Sequence, residues 1–392
     1  MSHRYPLPPE ILDFIVDHLH DESNTLKSCS VVSKSWVPRS RRHLFARVNF
    51  DTLGSFAASW MKAFPKPSDS PAHYTRTLTV TGTQFITTAG ADARRWIHAF
   101  RNVVHLHVDT HCWHCDGQIT LVPLYGLSSA VKSLRLEFTT APPSEVFGLL
   151  CSFPLLEDLA LQASISGVVT GTWSPPLTSP RLTGSLELSS TMGELGPAAR
   201  RLLDLPNGSN FTKIVLVCHN RADFKSAVDL VSGCSATLEV LDVTENLEGV
   251  FPPTPCPIHT LHLCIDPPTT LLDLSTATRL KDLVFQCCQP NAKWIINALQ
   301  TIKSKDLRQI TLRPDARAFW NTMGETVYRE WGDLDRLLVE FRTSRPVRPK
   351  LVYEMVLCEE EDMRGYALSL LPELTGGGHI DLLEYKLPLE LE

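Results

Sequence analysis

Residues 131–136 read VKSLRL, and the same frame returns at 103–108 (VVHLHV), 156–161 (LEDLAL) and 238–243 (LEVLDV). The frame is apolar-x-x-apolar-x-apolar. Its last two anchors stand two residues apart, so in an extended strand they share one face. Further copies are Phe211-Ile214-Leu216, Ile258-Leu261-Leu263, Leu280-Leu283-Phe285, Leu307-Ile310-Leu312 and Leu334-Leu337-Val339, with looser ones at Leu78-Val80 and Leu186-Leu188. Successive middle anchors are 20–28 residues apart. The segments between them carry helical spacing, as at 92–100, 144–152, 198–205, 224–231 and 291–302. One short strand and one helix per unit is an internal repeat. Such a unit hides its apolar face only by stacking on its neighbours, which predicts an α/β solenoid with parallel strands. A doubly wound α/β domain also alternates strands and helices. Eleven strands exceed the usual open sheet, which favours the solenoid.

The anchor spacing resembles leucine-rich repeats. The family's Asn or Cys after the strand is mostly missing: Cys218 and Cys264 stand near it, whereas other copies have Thr139, Ser189 or Gln286. The repeat is therefore irregular. After Val339 the frame stops. Residues 351–357 read as a strand and 359–371 as a helix that Pro372 and Gly376–Gly378 end. Ile380–Tyr385 is expected as a closing edge strand, making 343–392 a C-terminal cap.

Ahead of the repeats, residues 5–50 read as three short helices. Pro8 and Pro9 suit a helix start, and Glu10 favours the positive end of its dipole. Ile11, Leu12, Ile15, Val16 and Leu19 form one apolar stripe, and Leu26, Cys29, Val32 and Trp36 a second. Pro38–Phe45 makes a basic third helix. About 40 residues are marginal as a free unit. They also carry more large apolar side chains than three small helices hide, so the surplus rests on the following domain or on another protein.

Leu7-Pro8-Pro9-Glu10-Ile11-Leu12, followed by Cys29-Ser30-Val31-Val32-Ser33-Lys34-Ser35-Trp36, resembles the F-box, most closely the F-box-like segments of fungal proteins. The resemblance covers about 40 residues and implies docking on the adaptor subunit of SCF-type cullin–RING ubiquitin ligases, and through it on cullin. It places Leu7, Pro8, Pro9, Ile11, Leu12, Val31, Val32 and Trp36 at the adaptor. The chain would then be a substrate receptor without catalytic residues or cofactor. Its parts would be an F-box at 5–50, a leucine-rich-repeat-like solenoid at 51–342 that binds the target protein, and the cap at 343–392. An alternative is a non-degradative interaction scaffold on the same adaptor.

If the anchors face the core, Lys213, Val215, Val217, Val240, Asp242, Thr260, His262, Asp282, Val284 and Gln286 line the outer sheet face. Val215, Val240, Asp242, His262 and Val284 are the expected contacts to the target. Valines mixed with charges of both signs suit a protein better than a polyanion. The valines also fit as mere β-formers on a half-exposed sheet.

Of 392 residues, 37 are basic and 43 acidic, a net charge of -6 that argues against nucleic-acid or membrane-surface binding. Eleven cysteines without framework spacing read as reduced thiols of a cytoplasmic or nuclear protein. Neither a signal peptide nor an apolar run of about 18 residues is visible. His111-Cys112-Trp113-His114-Cys115 has ligand types for part of a zinc site, or a redox Cys-x-x-Cys. It lacks a partner motif at zinc-ribbon distance, and a loop packed on Trp113 is the simpler reading. Arg39, Arg41, Arg42 and Arg47 form a basic run that reads as a solvated face rather than a nucleic-acid site.

Overall fold

Buried pairs at the last two anchors recur on strand after strand. The structure, a computed structural model, describes residues 8–51, 56–81, 96–109, 121–139, 142–163, 179–189, 195–218, 221–245, 272–287, 292–314, 325–356 and 369–385. The chain divides into two compact units, Met1–Arg181 and Leu182–Glu392.

The first unit opens with three helices, α1 (Pro9–His18), α2 (Ser23–Val32) and α3 (Val37–Leu44). Strand β1 (Arg47–Asp51) and helix α4 (Phe56–Ala63) follow. Then come β2 (Thr77–Thr81), β3 (His105–Asp109), β4 (Ser133–Thr139), helix α5 (Pro143–Cys151) and β5 (Asp158–Ala163). All neighbours pair parallel and in chain order, with Val48 opposite Leu78, Leu78 opposite Leu106, Leu106 opposite Leu134, and Leu134 opposite Leu159. Every one of these anchors is buried. β1 was not expected, so the sheet begins inside the stretch read as 5–50. Its outer end is closed by aromatic packing. Trp60 of α4 lies 5.8 Å from Phe50 and 6.0 Å from Phe100, ring centre to ring centre.

The second unit continues the same design. β6 (Ser185–Ser189), α6 (Gly196–Leu203), β7 (Lys213–Cys218), α7 (Arg221–Cys234) and β8 (Val240–Glu245) lead to β9 (Asp282–Cys287). There follow α8 (Lys293–Thr301), β10 (Gln309–Pro314), α9 (Glu325–Thr343), β11 (Lys350–Val356), α10 (Pro372–Gly376) and β12 (Ile380–Tyr385). Each strand again pairs parallel with the next in sequence. A doubly wound sheet reverses its strand order at a switch point. Neither unit does so, and each is a solenoid-like stack.

Parallel neighbours need a long crossover, and here polar side chains tie one crossover to the next. The Glu145 carboxylate accepts the Leu121 N–H at 2.6 Å, buried Asp223 the Leu195 N–H at 2.6 Å, and the Thr301 hydroxyl the Leu274 N–H at 2.8 Å. Each satisfies a main-chain donor that would otherwise be buried without a partner.

Two expectations need correction. Leu334-Leu337-Val339 is not a strand but part of α9, whose buried residues Trp331, Leu334, Asp335, Leu338 and Phe341 recur at helical spacing. The frame of three apolar anchors is also met by a helix, and tertiary packing chose the helix. The strand expected at 258–263 does not separate its neighbours, because β8 pairs directly with β9, Leu241 opposite Leu283. Residues 258–263 themselves lie outside the described residues. The helix expected over 359–371 lies, but for its last three residues, outside the described residues; Pro372 itself starts α10, where Asp335 accepts the N–H groups of Glu373 (2.6 Å) and Leu374 (3.1 Å). The ladder also runs on past residue 342: β11 pairs with β10, and β12 pairs with β11 as the last strand.

Candidate interaction surfaces

Helix α1 turns Val16 inward and leaves Leu12 and Leu19 half-buried. Ile11, Phe14 and Ile15 stay outside, with Phe14 60% exposed. Helix α2 buries Leu26 and Cys29 but leaves Val31 84% and Val32 67% exposed. Isolated surface apolar residues are ordinary, but five on two short helices make a candidate interaction surface. Of the residues the F-box resemblance singles out, Ile11, Val31 and Val32 are exposed, Pro8 is exposed, and Leu12 and Trp36 are half-buried. Leu7 and the Pro9 side chain lie outside the described residues. Phe14 was missed. It stands three residues from Ile11, on the same helical face, and that spacing was the available signal.

An ion pair adds to the packing of Val16 in tying α1 to α3. Asp17 Oδ1 accepts from Arg39 Nε at 2.5 Å and lies 2.7 Å from His43 Nε2, while Oδ2 accepts from Arg39 Nη2. The Arg39 guanidinium beside it holds the Asp17 carboxyl well below the usual carboxylate range. A depressed folded pKa contributes stability that is complete above the unfolded value, about 3.9, and is lost as pH falls through the folded value. Asp17 is 35% exposed, so solvent screening limits the contribution to about 1 kcal/mol. Asp17→Asn is expected to lower unfolding stability by about that amount near neutral pH, with the gap to the parent closing below about pH 4. Urea melts of both chains across this range check it. A gap that persists in acid would show that packing, not charge, carries the tie.

In the second unit one row crosses five strands: Val215, Asp242, Val284, Thr311 and Val352. Val215, Val240 and Val284 are half-buried and alternate with the core anchors, as the repeat frame predicts. Asp242 pairs with Arg313 at 3.1 Å, and Arg313 also binds Glu354. Burial pushes the Asp242 carboxyl up against the pull of Arg313. Towards β10 and β11 the row is shut, because Thr311 and Val352 are each only 1% exposed. The open part of the row is thus β7 to β9. His262 lies outside the described residues.

The matching row of the first unit is Asn49, Thr79, His107, Arg135 and Ala160, four polar residues of five against two of five in the second unit. Glu137 lies beside it, 3.1 Å from His107 and bonded to Arg135. Burial pushes the Glu137 carboxyl up, but Arg135 and His107 outweigh it and hold it below its ordinary value.

Among the described residues no group of three or more His, Cys, Asp or Glu side chains is placed to hold a metal ion. The cluster at 111–115 lies outside them. Cys29, Cys151, Cys218 and Cys234 are free thiols. Burial pushes Cys151 and Cys234 up to about 11, which leaves them poor nucleophiles. Among the described residues no helix is long and apolar enough to cross a membrane.

No protein-family model and no curated protein matches this chain. Among solved structures, the leucine-rich repeat-containing protein LegL7 from Legionella pneumophila is similar at 13% identity, covering 83% of this chain and 97% of that one with a TM-score of 0.38. The fold assignment rests on the strand ladder of the chain itself: parallel strands in sequential order, with N-terminal helices ahead of them.

Proposed function

We propose that this chain is a protein-interaction scaffold with two surfaces, one on α1 and α2 and one on the sheet face of β7 to β9. The observation that carries the reading is the exposure of Ile11, Phe14, Ile15, Val31 and Val32 on the first two helices. Burying a large aliphatic side chain contributes about 1.5–3 kcal/mol, so a partner that covers these five gains a substantial apolar contact. The resemblance of residues 7–12 and 29–36 to the F-box makes that partner the adaptor subunit of SCF-type ligases, with Leu7, Pro8, Pro9, Leu12 and Trp36 completing the surface. The finer reading is a substrate receptor that brings a target to the ligase for ubiquitination; the scaffold reading needs the docking alone. Both place the protein where such ligases work, in cytoplasm or nucleus.

Mixing the purified full chain with the adaptor tests the docking. A complex that survives size-exclusion chromatography supports it, and none at micromolar concentration overturns it. Affinity purification under proteasome inhibition then separates the two readings: a ubiquitinated partner that accumulates on knockout belongs to a receptor, and an unchanged partner to a scaffold.

The target would lie on the open sheet face of β7 to β9. Changing Val215, Val240 and Val284 together to Lys should leave folding and adaptor binding intact and reduce recovery of the target about tenfold or more. Undiminished recovery would move that surface off the sheet face.

A further inference from the structure

The arginines of the helical segment are not accounted for by docking. Arg39 is held by Asp17. Arg41 and Arg42 are exposed on α3. Arg47 at the start of β1, Arg76 before β2 and Arg101 before β3 are exposed as well. Among the described residues no carboxylate pairs with any of these five, in a chain whose net charge is -6.

Hydrogen bonds between the strand entries, together with the packing of α3, bring the five to one end of the first unit. The Ala46 carbonyl accepts the N–H groups of Arg76 (2.8 Å) and Thr77 (3.0 Å), and the Arg76 carbonyl accepts those of Val104 (2.8 Å) and His105 (3.0 Å). Asn102, next to Arg101, donates to the His73 carbonyl at 2.6 Å and accepts from Arg76 Nη1 at 3.4 Å. Arg47 is the first residue of β1, Arg76 stands one residue ahead of β2 and Arg101 four ahead of β3, so all three lie at the entry edge of three consecutive strands. Helix α3 passes into β1 through Phe45 and Ala46 and packs on the turn Pro71–Tyr74, so Arg41 and Arg42 border the same edge. The next step along the edge is already neutralised, since Lys132 pairs with Glu157 at 3.2 Å.

We propose that this arginine edge binds an acidic segment of a partner protein. Guanidinium forks match carboxylates in paired hydrogen bonds. An extended segment places alternate side chains roughly 7 Å apart, within reach of arginines on neighbouring strand entries. A nucleic acid fits less well, because single strands need aromatic faces to stack on, and Phe45 and Tyr74 here are half-buried. The edge is distinct from the apolar surface of α1 and α2, so it stands or falls separately from the docking reading.

The test is fluorescence anisotropy with the full chain and a labelled peptide of alternating Asp and Glu. A Gln/Asn counterpart and a single-stranded oligonucleotide serve as comparisons. The acidic peptide is expected to bind, the counterpart not, and affinity to fall as salt rises. Arg47→Gln, Arg76→Gln, Arg101→Gln together should weaken binding at least about tenfold. The corresponding Lys variants should recover part of it. If the triple variant melts early, Arg41→Gln with Arg42→Gln, on a helix surface, replaces it and should weaken binding several-fold. No binding of the acidic peptide, full binding by the folded Gln variants, or tighter binding of the oligonucleotide would each overturn the proposal.

Discussion

A Phe14→Glu, Val31→Glu chain is expected to fold normally and to lose the adaptor. Both side chains are mostly exposed, 60% and 84%, so neither substitution opens a cavity or strands a charge in the core. In a complex, each would put an unpaired carboxylate into an apolar contact, at a cost of several kcal/mol. Since about 1.4 kcal/mol is a factor of ten, co-purification should drop below a hundredth of the parent level. The thermal melt should stay within a few degrees of the parent, because exposed substitutions change stability by only about 0.5 kcal/mol. Replacing Leu26, only 1% exposed, by Ala should do the reverse, costing about 2–5 kcal/mol of stability and weakening docking only through local unfolding. Full co-purification by the folded double variant would remove α1 and α2 from the adaptor interface.

The second large effect lies in α9 and separates helix from strand. Leu338 is 1% exposed and Val339 half-buried. Leu338→Ala is expected to cost about 2–5 kcal/mol through lost transfer energy and a residual cavity. Val339→Ala should cost about 1 kcal/mol or less, as the site is partly wet and Ala favours the helix. A strand anchored at Leu334, Leu337 and Val339 would invert this order, because Leu338 would then point outward. Denaturant titration of the two variants decides between them. Equal losses would mean that this segment has no single packed register.

The strand ladder was legible before any coordinates because its chemistry is local. Two apolar residues separated by one residue define a face in an extended strand, and nothing distant is needed to read it. That is why Leu106 and Val108, Leu134 and Leu136, and Leu283 and Phe285 were found with their partners. The same locality explains the miss at 334–339. Leu334 and Leu338 satisfy a helix as well as Leu334 and Leu337 satisfy the repeat frame, and only burial of Trp331 and Phe341 beside them resolves the choice. β1, only five residues long, gives its alternation too little room to stand out, and it exists because β2 offers it a ladder.

The surfaces divide along the same line. The amino-acid sequence by itself determined the repeat frame, the alternation of core and outer positions on each strand, and the three short N-terminal helices, because each follows from the spacing of neighbouring residues. Only the tertiary structure decided which apolar residues remain uncovered. Ile11, Ile15 and Val32 are exposed because the helices packed beside them are too few to cover the full width of each apolar stripe. Thr311 and Val352 are buried although alternation assigns them to the outer face. The clustering of Arg47, Arg76 and Arg101 was equally invisible, since residues about 30 apart in the chain become neighbours only when parallel strands stack in register.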